Sequence, residues 1–316
     1  MKDNKKIEAY DGKYFWQSKG NKIYKTLTIN EMKAKPYITV PNKYAKHSFR
    51  LIDRFLRTGI HNIIPLKDGC IVVVKKKFLI YTDNKLKKII TIPKGSRPLR
   101  NGIALIGNTL FFGDYWGNKE KEKAKIYKLD LTTFHLESIL SLKARHIHFV
   151  IPGKEGNELI IGTGDKNNES KMLFFNYRNG KIKYIGKGSQ KYRAVSVIQY
   201  KEFIIWGTDA PDEQNYIYRY NKKTNSIEMI REIEGPAYFS TTTKDGELYI
   251  GTTIENKNKH RAILYKSTNG IDWYRKKEFK KDIFNEKYLG YGVIEFINGQ
   301  EKLNELYFTS INMKEI

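Results

Sequence analysis

The sequence predicts an all-β protein folded as a β-propeller with six blades, or with seven as the alternative. Four stretches repeat one pattern, in which an apolar strand ends in glycine and a further strand follows a loop. The glycines that end these strands lie 49, 45 and 44 residues apart, at Gly113, Gly162, Gly207 and Gly251. A period of about 40–50 residues built from short β-type segments is typical of propellers, in which each repeat is one four-stranded blade.

Each repeat continues in the same way after its glycine. A strand centred on an Ile-Tyr-like pair comes next, then a turn rich in Asn, Gly and Lys, then a more polar strand. Asn-Gly between alternating apolar segments is a strong hairpin signal. The pairs are Ile126-Tyr127, Leu173-Phe174, Ile217-Tyr218 and Leu264-Tyr265. An earlier unit of the same kind is predicted over residues 63–65, 70–74, 78–81 and 86–92.

The two ends of the chain are predicted to share a blade. Residues 13–27 have the pattern of a second and third strand without a first strand of their own, and residues 291–296 and 306–310 that of two inner strands. Joining them makes a sixth blade, closes the ring and removes exposed sheet edges. Apolar residues at helical spacing over residues 48–58 predict a short helix that packs on the ring or caps it.

The composition predicts a single cytoplasmic domain over residues 1–316. The chain is 40% hydrophobic and 13% aromatic, which is typical of a folded β protein. It has no apolar stretch long enough for a transmembrane helix, and its first residues are charged where a signal peptide would be apolar. Cys70 is the only cysteine, so no internal disulfide can form.

The net charge of +24 is large enough to attract nucleic acid, an anionic membrane or an acidic substrate. Of the 58 basic residues, however, 46 are lysines scattered over loops and turns and only 12 are arginines. Surfaces that read nucleic-acid bases depend on arginine, whose planar fork matches base edges and phosphates. We therefore interpret most lysines as solvated surface and do not expect a nucleic-acid partner.

The joints between the predicted blades carry residues that bind ligands. Arg97, Arg145, Arg193, Tyr238 and Tyr291 recur there in phase with the blades. Blade joints approach the central channel of a propeller, so these side chains are expected to converge on a funnel. Convergent guanidinium groups hold carboxylates and phosphates bidentately, which predicts an anion-binding site. The alternative is that the arginines lock neighbouring blades together through backbone carbonyls.

His146 and His148 form the densest group of potential catalytic residues, and in a strand they point to the same face. One interpretation is acid–base catalysis, since imidazole titrates near neutral pH. The other is a metal site, with Asp114, Asp165 or Asp209 as a third ligand. Because His-x-His without spaced partners is a weak metal signal, the sequence predicts no metal and no other cofactor, with a metal at the two histidines as the alternative.

Acidic residues recur in phase just after the strand-ending glycines, at Asp114, Asp165, Asp209 and Glu255. Such carboxylates do acid–base work on glycosides in some enzymes, but more often they cap turns. The predicted catalytic residues are His146, His148, Tyr238 and Asp165. The predicted substrate-binding residues are Arg97, Arg145, Arg193, Gln190, Asp114, Asp209 and Tyr291.

The segment Ser267-Thr-Asn-Gly-Ile-Asp-Trp273 resembles the Asp-box of sialidase-like (BNR-repeat) propellers, with Asn269 where that motif usually has Asp. Together with GSRPL, RHIH, GTGD, GSQKYRA, WGTD and GPAYFSTTT, the likeness covers most of residues 95–310. It is to an uncharacterised branch often associated with surface-polysaccharide genes. The resemblance implies a propeller directed at glycans, with the Asp-box as a structural hairpin away from the site. The Arg-Ile-Pro motif of true sialidases is absent from the sequence.

These observations predict a glycan-directed propeller whose cationic central funnel binds or cleaves an acidic sugar, as a glycosidase or a lyase. The alternative is a binding or scaffold propeller without catalysis, a common use of the fold. At this stage the sequence supports both.

Overall fold

The computed structural model describes most of the chain, namely residues 5–31, 34–45, 59–120, 122–255, 261–282 and 290–316. These residues form 27 β-strands and four short 3-10 helices, which confirms the predicted all-β class. No helix within them is long and apolar enough to cross a membrane. The helix predicted over residues 48–58 lies outside the described residues.

The strands form five antiparallel sheets of four strands and one sheet of seven, each built from strands consecutive in the sequence. Sheet 1 contains β1–β4, at Lys6–Tyr10, Phe15–Lys19, Lys22–Thr26 and Ile38–Thr39. Sheet 2 contains β5–β8, at Ile60–Leu66, Gly69–Val74, Lys77–Thr82 and Lys85–Thr91. Sheet 3 contains β9–β12, at Ile103–Ile106, Thr109–Gly113, Ala124–Asp130 and Leu136–Leu142. Sheet 4 contains β13–β16, at His146–Pro152, Glu158–Gly164, Lys171–Asn176 and Ile182–Lys187.

The remaining strands belong to the last two sheets. Sheet 5 contains β17–β20, at Ile198–Tyr200, Phe203–Gly207, Asn215–Asn221 and Ile227–Ile233. Sheet 6 contains β21–β27, at Ala237–Thr242, Leu248–Ile254, Arg261–Ser267, Tyr274–Lys281, Gly292–Phe296, Phe308–Ile311 and Met313–Glu315. The 3-10 helices are Pro93–Gly95, Arg100–Gly102, Gln190–Tyr192 and Gln300–Lys302.

Sheets 2 to 5 each pack their two faces against the sheets before and after them. In β6, Cys70, Val72 and Val74 enter the core shared with sheet 1, whereas Ile71 and Val73 enter the core shared with sheet 3. This alternation follows from the two-residue period of a strand, and it makes both faces apolar. Similar cores join sheets 3 and 4, 4 and 5, and 5 and 6, and a further core lies within sheet 6.

Two of the four repeated glycines make room for the next sheet. A Cβ atom at Gly113 would lie 2.5 Å from Ile147, and one at Gly207 would lie 2.5 Å from Ala237. Both neighbours belong to the first strand of the following sheet, so only glycine permits this close approach. At Gly162 and Gly251 the nearest side chains, Phe149 and Ile294, belong to the same sheet as the glycine.

The predicted sharing of a blade between the two chain ends is wrong. The strands predicted within residues 13–27, now β2 and β3, pair with β1 and β4 and not with C-terminal strands. The ends meet instead through two backbone hydrogen bonds, from Tyr10 N to Asn298 O at 2.8 Å and from Asn298 N to Glu8 O at 3.0 Å. At the other end, β25 pairs with β22 and β26, so it continues sheet 6. The blade number stays a prediction.

The segment that resembles an Asp-box forms the turn between β23 and β24. Ser267 Oγ accepts a hydrogen bond from Gly270 N at 2.9 Å, and Asn269 Oδ1 accepts from Asp272 N at 2.9 Å. Trp273 is buried beside this turn. These contacts are those of a structural hairpin.

Residues 98–102, here called the central segment, contact sheets 1 and 6 and the joint before sheet 5. Arg100 Nη1 donates to Glu8 in β1 at 2.7 Å and to Glu295 in β25 at 3.1 Å. Asn101 Nδ2 donates to the carbonyl oxygens of Val195, which precedes β17, and of Tyr238 in β21, both at 3.2 Å. The central segment therefore joins parts of the molecule that are far apart in the sequence.

Candidate functional site

Four first strands carry a β-bulge that frees one polar residue from the ladder. The register shifts leave Glu8 in β1, His61 in β5, His148 in β13 and Tyr238 in β21 without a direct cross-strand partner. A bulge re-aims the side chain that it frees and is common next to active sites. Three of the four lie beside the central segment: Glu8 bonds to Arg100, His61 Nε2 lies 3.1 Å from Pro98 O, and Tyr238 O accepts from Asn101.

Sheet 4 supplies the centre of the candidate site, which we call the Asp165 cluster: Arg145, His146, His148, Asp165 and Arg193. Oδ1 of Asp165 lies 3.0 Å from His146 Nε2 and 3.1 Å from His148 Nε2. Oδ2 of Asp165 accepts from Arg145 Nη1 at 3.0 Å, and Arg193 Nη2 lies 3.8 Å from Oδ1. The structure therefore brings together five residues that the sequence analysis selected separately.

The electrostatics of the Asp165 cluster favour an ionised carboxylate. Burial acts to raise the pKa of Asp165, but contacts with His146 and His148 outweigh it and hold this pKa well below its usual range. Burial lowers the pKa of His148 and so favours its neutral form. Asp165 thus stays negative over the whole physiological pH range.

Arg193 and Gln190 hold the backbone of Asp165 from the next joint. Both Arg193 Nη1 and Gln190 Nε2 donate to Asp165 O, at 3.1 and 2.9 Å. Arg193 Nε also donates to Asp209 Oδ2 at 3.2 Å. Ser189 caps the intervening 3-10 helix by accepting from Lys191 N. The joint between sheets 4 and 5 therefore positions the backbone after β14 and, with it, the carboxylate of Asp165.

A second acidic group lies next to Arg193. Asp209 is 3% exposed and its Oδ1 has no hydrogen-bond partner within the described part of the chain. Burial raises the pKa of Asp209 well above its usual value and also raises the pKa of Glu255. Tyr238 Oη donates to Glu255 Oε2 at 2.8 Å. The predicted residue Tyr238 is therefore connected to the site by its hydrogen bond to Glu255, whose carboxylate lies near Arg193.

Two further residues of this site are absent from the predicted set. Glu255 follows β22 at the position where Asp165 follows β14, so its phase in the repeat carried a signal for it. Tyr115 stacks on His146 with ring centroids 4.3 Å apart, and burial raises its pKa to about 12. Tyr115 lies one residue beyond the predicted Asp114, and only the three-dimensional contact distinguishes it.

The structure gives other contacts for three of the predicted binding residues. Asp114 is fully buried and accepts from Lys125 N at 3.0 Å, which are the contacts of a structural residue. Arg97 donates its backbone N–H to Tyr115 O at 3.1 Å. Tyr291 precedes β25, is 38% exposed, and accepts from Asn312 through its carbonyl oxygen. Their roles in binding stay predictions.

Asp114 provides a test of pH dependence. Burial raises its pKa from 3.8 to about 6, so the folded state binds a proton more tightly than the unfolded state does. Between these two pH values wild-type stability falls as pH rises. We therefore expect Asp114→Asn, which cannot ionise, to gain stability relative to wild type between pH 4 and pH 7. Melting temperatures of both proteins across this range check the sign, and a constant difference would contradict it.

A cavity of about 380 Å³ opens beside the Asp165 cluster. Its wall includes Asp165, Gln190 and Arg193 on one side and Pro211 and Asp212 on the other. This volume falls within the range of about 300–1,000 Å³ that small-molecule sites usually have. A ligand in the cavity would contact the Asp165 cluster directly.

His146, His148 and Asp165 have the donor atoms to hold a metal ion. One ligand atom from each lies within 4.8 Å of the others. The sequence predicts no cofactor, with a metal at His146 and His148 as the alternative. The structure contrasts with the first interpretation only in that Asp165 lies where it could be the third donor. Asp114 and Asp209, the other two acids considered for this role, have different partners.

Comparison with known proteins identifies the fold. No protein-family model matches the chain, and no curated protein matches its sequence. A solved oligogalacturonate lyase in complex with manganese gives a TM-score of 0.59 at 10% identity, covering 85% of this chain and 75% of that chain. The oligogalacturonate lyase from Vibrio parahaemolyticus gives 0.55 at 11% identity, covering 85% and 76%. The WD40 domain of Neurospora crassa Pan2 gives 0.53 at 8% identity, covering 92% and 84%.

At these identities the likeness concerns the fold and not the activity. No comparison identifies the Asp-box family, so that resemblance stays a prediction from the sequence. What the solved structures have in common is a ring of four-stranded antiparallel sheets. The chain is accordingly a β-propeller.

Proposed function

We propose that the protein binds an acidic sugar chain in the cavity beside the Asp165 cluster and acts on it as a lyase or a glycosidase. The observation that carries the proposal is the convergence of Arg145, Arg193 and Gln190 on Asp165. Three of these four residues, Asp165, Gln190 and Arg193, line the cavity. Guanidinium and amide donors at one concave place are suited to a carboxylate ligand. Two propellers of similar fold are lyases of oligogalacturonate, an acidic sugar, which adds weak support.

Arginine N–H groups are available to an anionic ligand at this site. Arg145 is 48% exposed in its side chain and donates through Nη1 to Asp165 and through Nε to Gly117 O at 3.4 Å, which leaves Nη2 for a ligand. The wall of the cavity includes the cations Lys166 and Arg193 together with the acids Asp165, Asp212 and Glu213. Recognition of an acidic sugar in this proposal therefore rests on directed hydrogen bonds from arginine and not on a net positive charge of the cavity.

A proton-transfer group lies within the same site. Tyr238 is partly exposed and its hydroxyl is polarised by Glu255 at 2.8 Å. In this proposal Arg145 and Arg193 hold the sugar carboxylate, and Tyr238 passes its hydroxyl proton to Glu255 as it takes up the proton from the carbon next to that carboxylate. In the elimination the bond from the following carbon to the departing sugar oxygen then breaks, and a proton returns to that oxygen. Neutralising that carboxylate lowers the barrier to removing the proton on the carbon next to it.

Binding of charged and neutral sugars to matched variants tests the proposal. We expect wild type to bind a galacturonate oligomer and not the neutral galactose oligomer of equal length in isothermal titration calorimetry. Arg145→Ala removes a charged hydrogen bond of about 1.5–3 kcal/mol, so its Kd should rise about 10- to 100-fold. Arg178→Ala, an exposed arginine of the same sheet, is the control and should bind as wild type does.

Equal affinity for the neutral sugar, or unchanged affinity in Arg145→Ala, would contradict the proposal. Catalysis has its own readout, because elimination from a uronate gives an unsaturated product that absorbs ultraviolet light, whereas hydrolysis gives a reducing end. Tyr238→Phe should reduce product formation while binding is retained. Binding without either product favours the scaffold alternative.

A further inference from the structure

The Nε2 atoms of His146 and His148 face one carboxylate oxygen from two sides, 3.0 and 3.1 Å from Oδ1 of Asp165. The other ring nitrogen of each histidine, Nδ1, lies against a backbone carbonyl oxygen, that of Trp116 at 3.3 Å and that of Ala194 at 3.2 Å. A carbonyl oxygen only accepts hydrogen bonds, so Nδ1 carries the hydrogen in both rings. In neutral rings the two Nε2 atoms then present lone pairs to Asp165.

Two lone pairs and a carboxylate oxygen at these distances repel one another unless a positive charge lies among them. The histidines are only 6% and 2% exposed and their ring centroids lie 5.2 Å apart, so the three donor atoms form one enclosed group. A single cation placed among them would be contacted by all three donors at once.

We propose that His146, His148 and Asp165 bind one divalent transition-metal ion such as Mn²⁺, Co²⁺ or Zn²⁺. Imidazole nitrogens with a carboxylate oxygen are ligands that these ions accept, whereas Ca²⁺ and Mg²⁺ prefer oxygen ligands throughout. With bonds of about 2.1 Å, neighbouring ligand atoms on one ion lie about 3.0–3.4 Å apart. The separations of 3.0 and 3.1 Å between Asp165 Oδ1 and the imidazole nitrogens fall within this range.

The surroundings of these three residues are also those of a metal site. An Nδ1–H group that donates to a backbone carbonyl is a common way of orienting a metal-bound histidine, and both histidines show it. Tyr115 stacks on His146 and fixes the plane of its ring. Arg145 engages Oδ2 of Asp165, which leaves Oδ1 to the two imidazoles. The inference goes beyond the proposed function, because metal binding is measurable with no sugar present.

Metal titration of the whole chain tests the site. The protein is stripped with a chelator and dialysed, and then Mn²⁺ is titrated by electron paramagnetic resonance and Zn²⁺ by calorimetry. We expect one ion per chain. His148→Gln should weaken binding about 100-fold or more, since even residues that only orient metal ligands account for about 10–100-fold. His135→Gln, an exposed histidine in sheet 3, is the matched control and should leave the affinity unchanged.

A second measurement keeps the test decisive if His148→Gln does not fold. Pulsed electron paramagnetic resonance of the Mn²⁺-loaded wild type should show coupling to two imidazole nitrogens. Absence of stoichiometric binding, absence of nitrogen coupling, or full affinity in both His148→Gln and Asp165→Asn would each overturn the proposal. Equal affinity for Ca²⁺ would do so as well, because it would indicate an oxygen site elsewhere. A metal that binds while galacturonate does not would leave the metal site standing and reject the proposed sugar.

Discussion

Arg100→Met should lower the free energy of unfolding by about 3–5 kcal/mol, the loss typical of breaking a buried ion pair from one side. The Arg100 side chain is 3% exposed and bonds to Glu8 at 2.7 Å and to Glu295 at 3.1 Å. Glu8 is itself fully buried, so removing the guanidinium strands its charge in the middle of the propeller. Lys6, at 3.2 Å from Glu8 and 2.6 Å from Glu295, compensates only in part. Urea unfolding followed by tryptophan fluorescence measures the change.

Two controls separate an unpaired buried charge from a simple loss of packing. Adding Glu8→Gln to Arg100→Met should restore part of the stability, because it removes the stranded charge. Arg261→Ala breaks an ion pair whose arginine side chain is 63% exposed, so it should cost about 0–1 kcal/mol. If Arg100→Met were no more destabilising than Arg261→Ala, the buried ion pairs of Arg100 with Glu8 and Glu295 would not stabilise the fold as expected.

The effect of Arg100→Met should also depend on pH in a defined direction. Burial alone raises the pKa of Glu295, but Lys6 and Arg100 outweigh it and lower this pKa to about 2 from 4.5. A carboxylate with a lowered folded-state pKa contributes stability above about pH 4.5, and this contribution is lost as the pH falls toward 2. The stability difference between wild type and Arg100→Met should therefore narrow as the pH falls from 5 toward 2.

Gly164→Ala should disrupt the site through a single methyl group. A Cβ at this position would lie 2.3 Å from Cε1 of His148, so the imidazole has to leave its place. Overpacking of this kind costs about 1–3 kcal/mol in stability. We also expect metal affinity to fall as far as in His148→Gln, because the displaced ring loses its contact with Asp165. Calorimetry with Zn²⁺ and thermal unfolding measure the two effects.

Gly156→Ala is the matched control within sheet 4. A Cβ at Gly156 meets no atom of the described residues within 4 Å. The stability and metal affinity of Gly156→Ala should therefore stay close to those of wild type. Metal affinity that is retained in Gly164→Ala would show that His148 is not held where the structure places it, or that it is not a ligand.

The blade repeat was predictable because its cause is local in sequence and recurs. The glycine that ends each second strand is required wherever the next sheet comes close, as at Gly113 and Gly207. Such a requirement leaves the same residue type at the same phase in each repeat. The joints were predictable for the same reason, which is why Arg145, Arg193 and Asp165 could be selected before their contacts were known.

What the sequence did not reveal depends on partners far along the chain. The strand β1 was missed because Lys6 and Glu8 give it a polar pattern, and the buried Glu8 is paired with Arg100, which lies 92 residues away. The bulge that frees His148 depends on the pairing of β13 with β14 and leaves no distinct residue pattern. At this joint the position in the repeat favoured Arg97, whereas the buried arginine that joins the sheets is Arg100.

The central segment also fixes an order of events during synthesis. Arg100 bonds to Glu8, which precedes it by 92 residues, and to Glu295, which follows it by 195 residues. At a translation rate of about 5–20 residues per second, Glu295 is made about 10–40 seconds after Arg100. During that interval, of these two partners, only Glu8 is available to the Arg100 guanidinium. The contacts of the central segment with sheet 6 are then still incomplete. Contacts this distant in sequence form slowly, so the ion pairs of Arg100 are completed only after residue 295 has emerged from the ribosome.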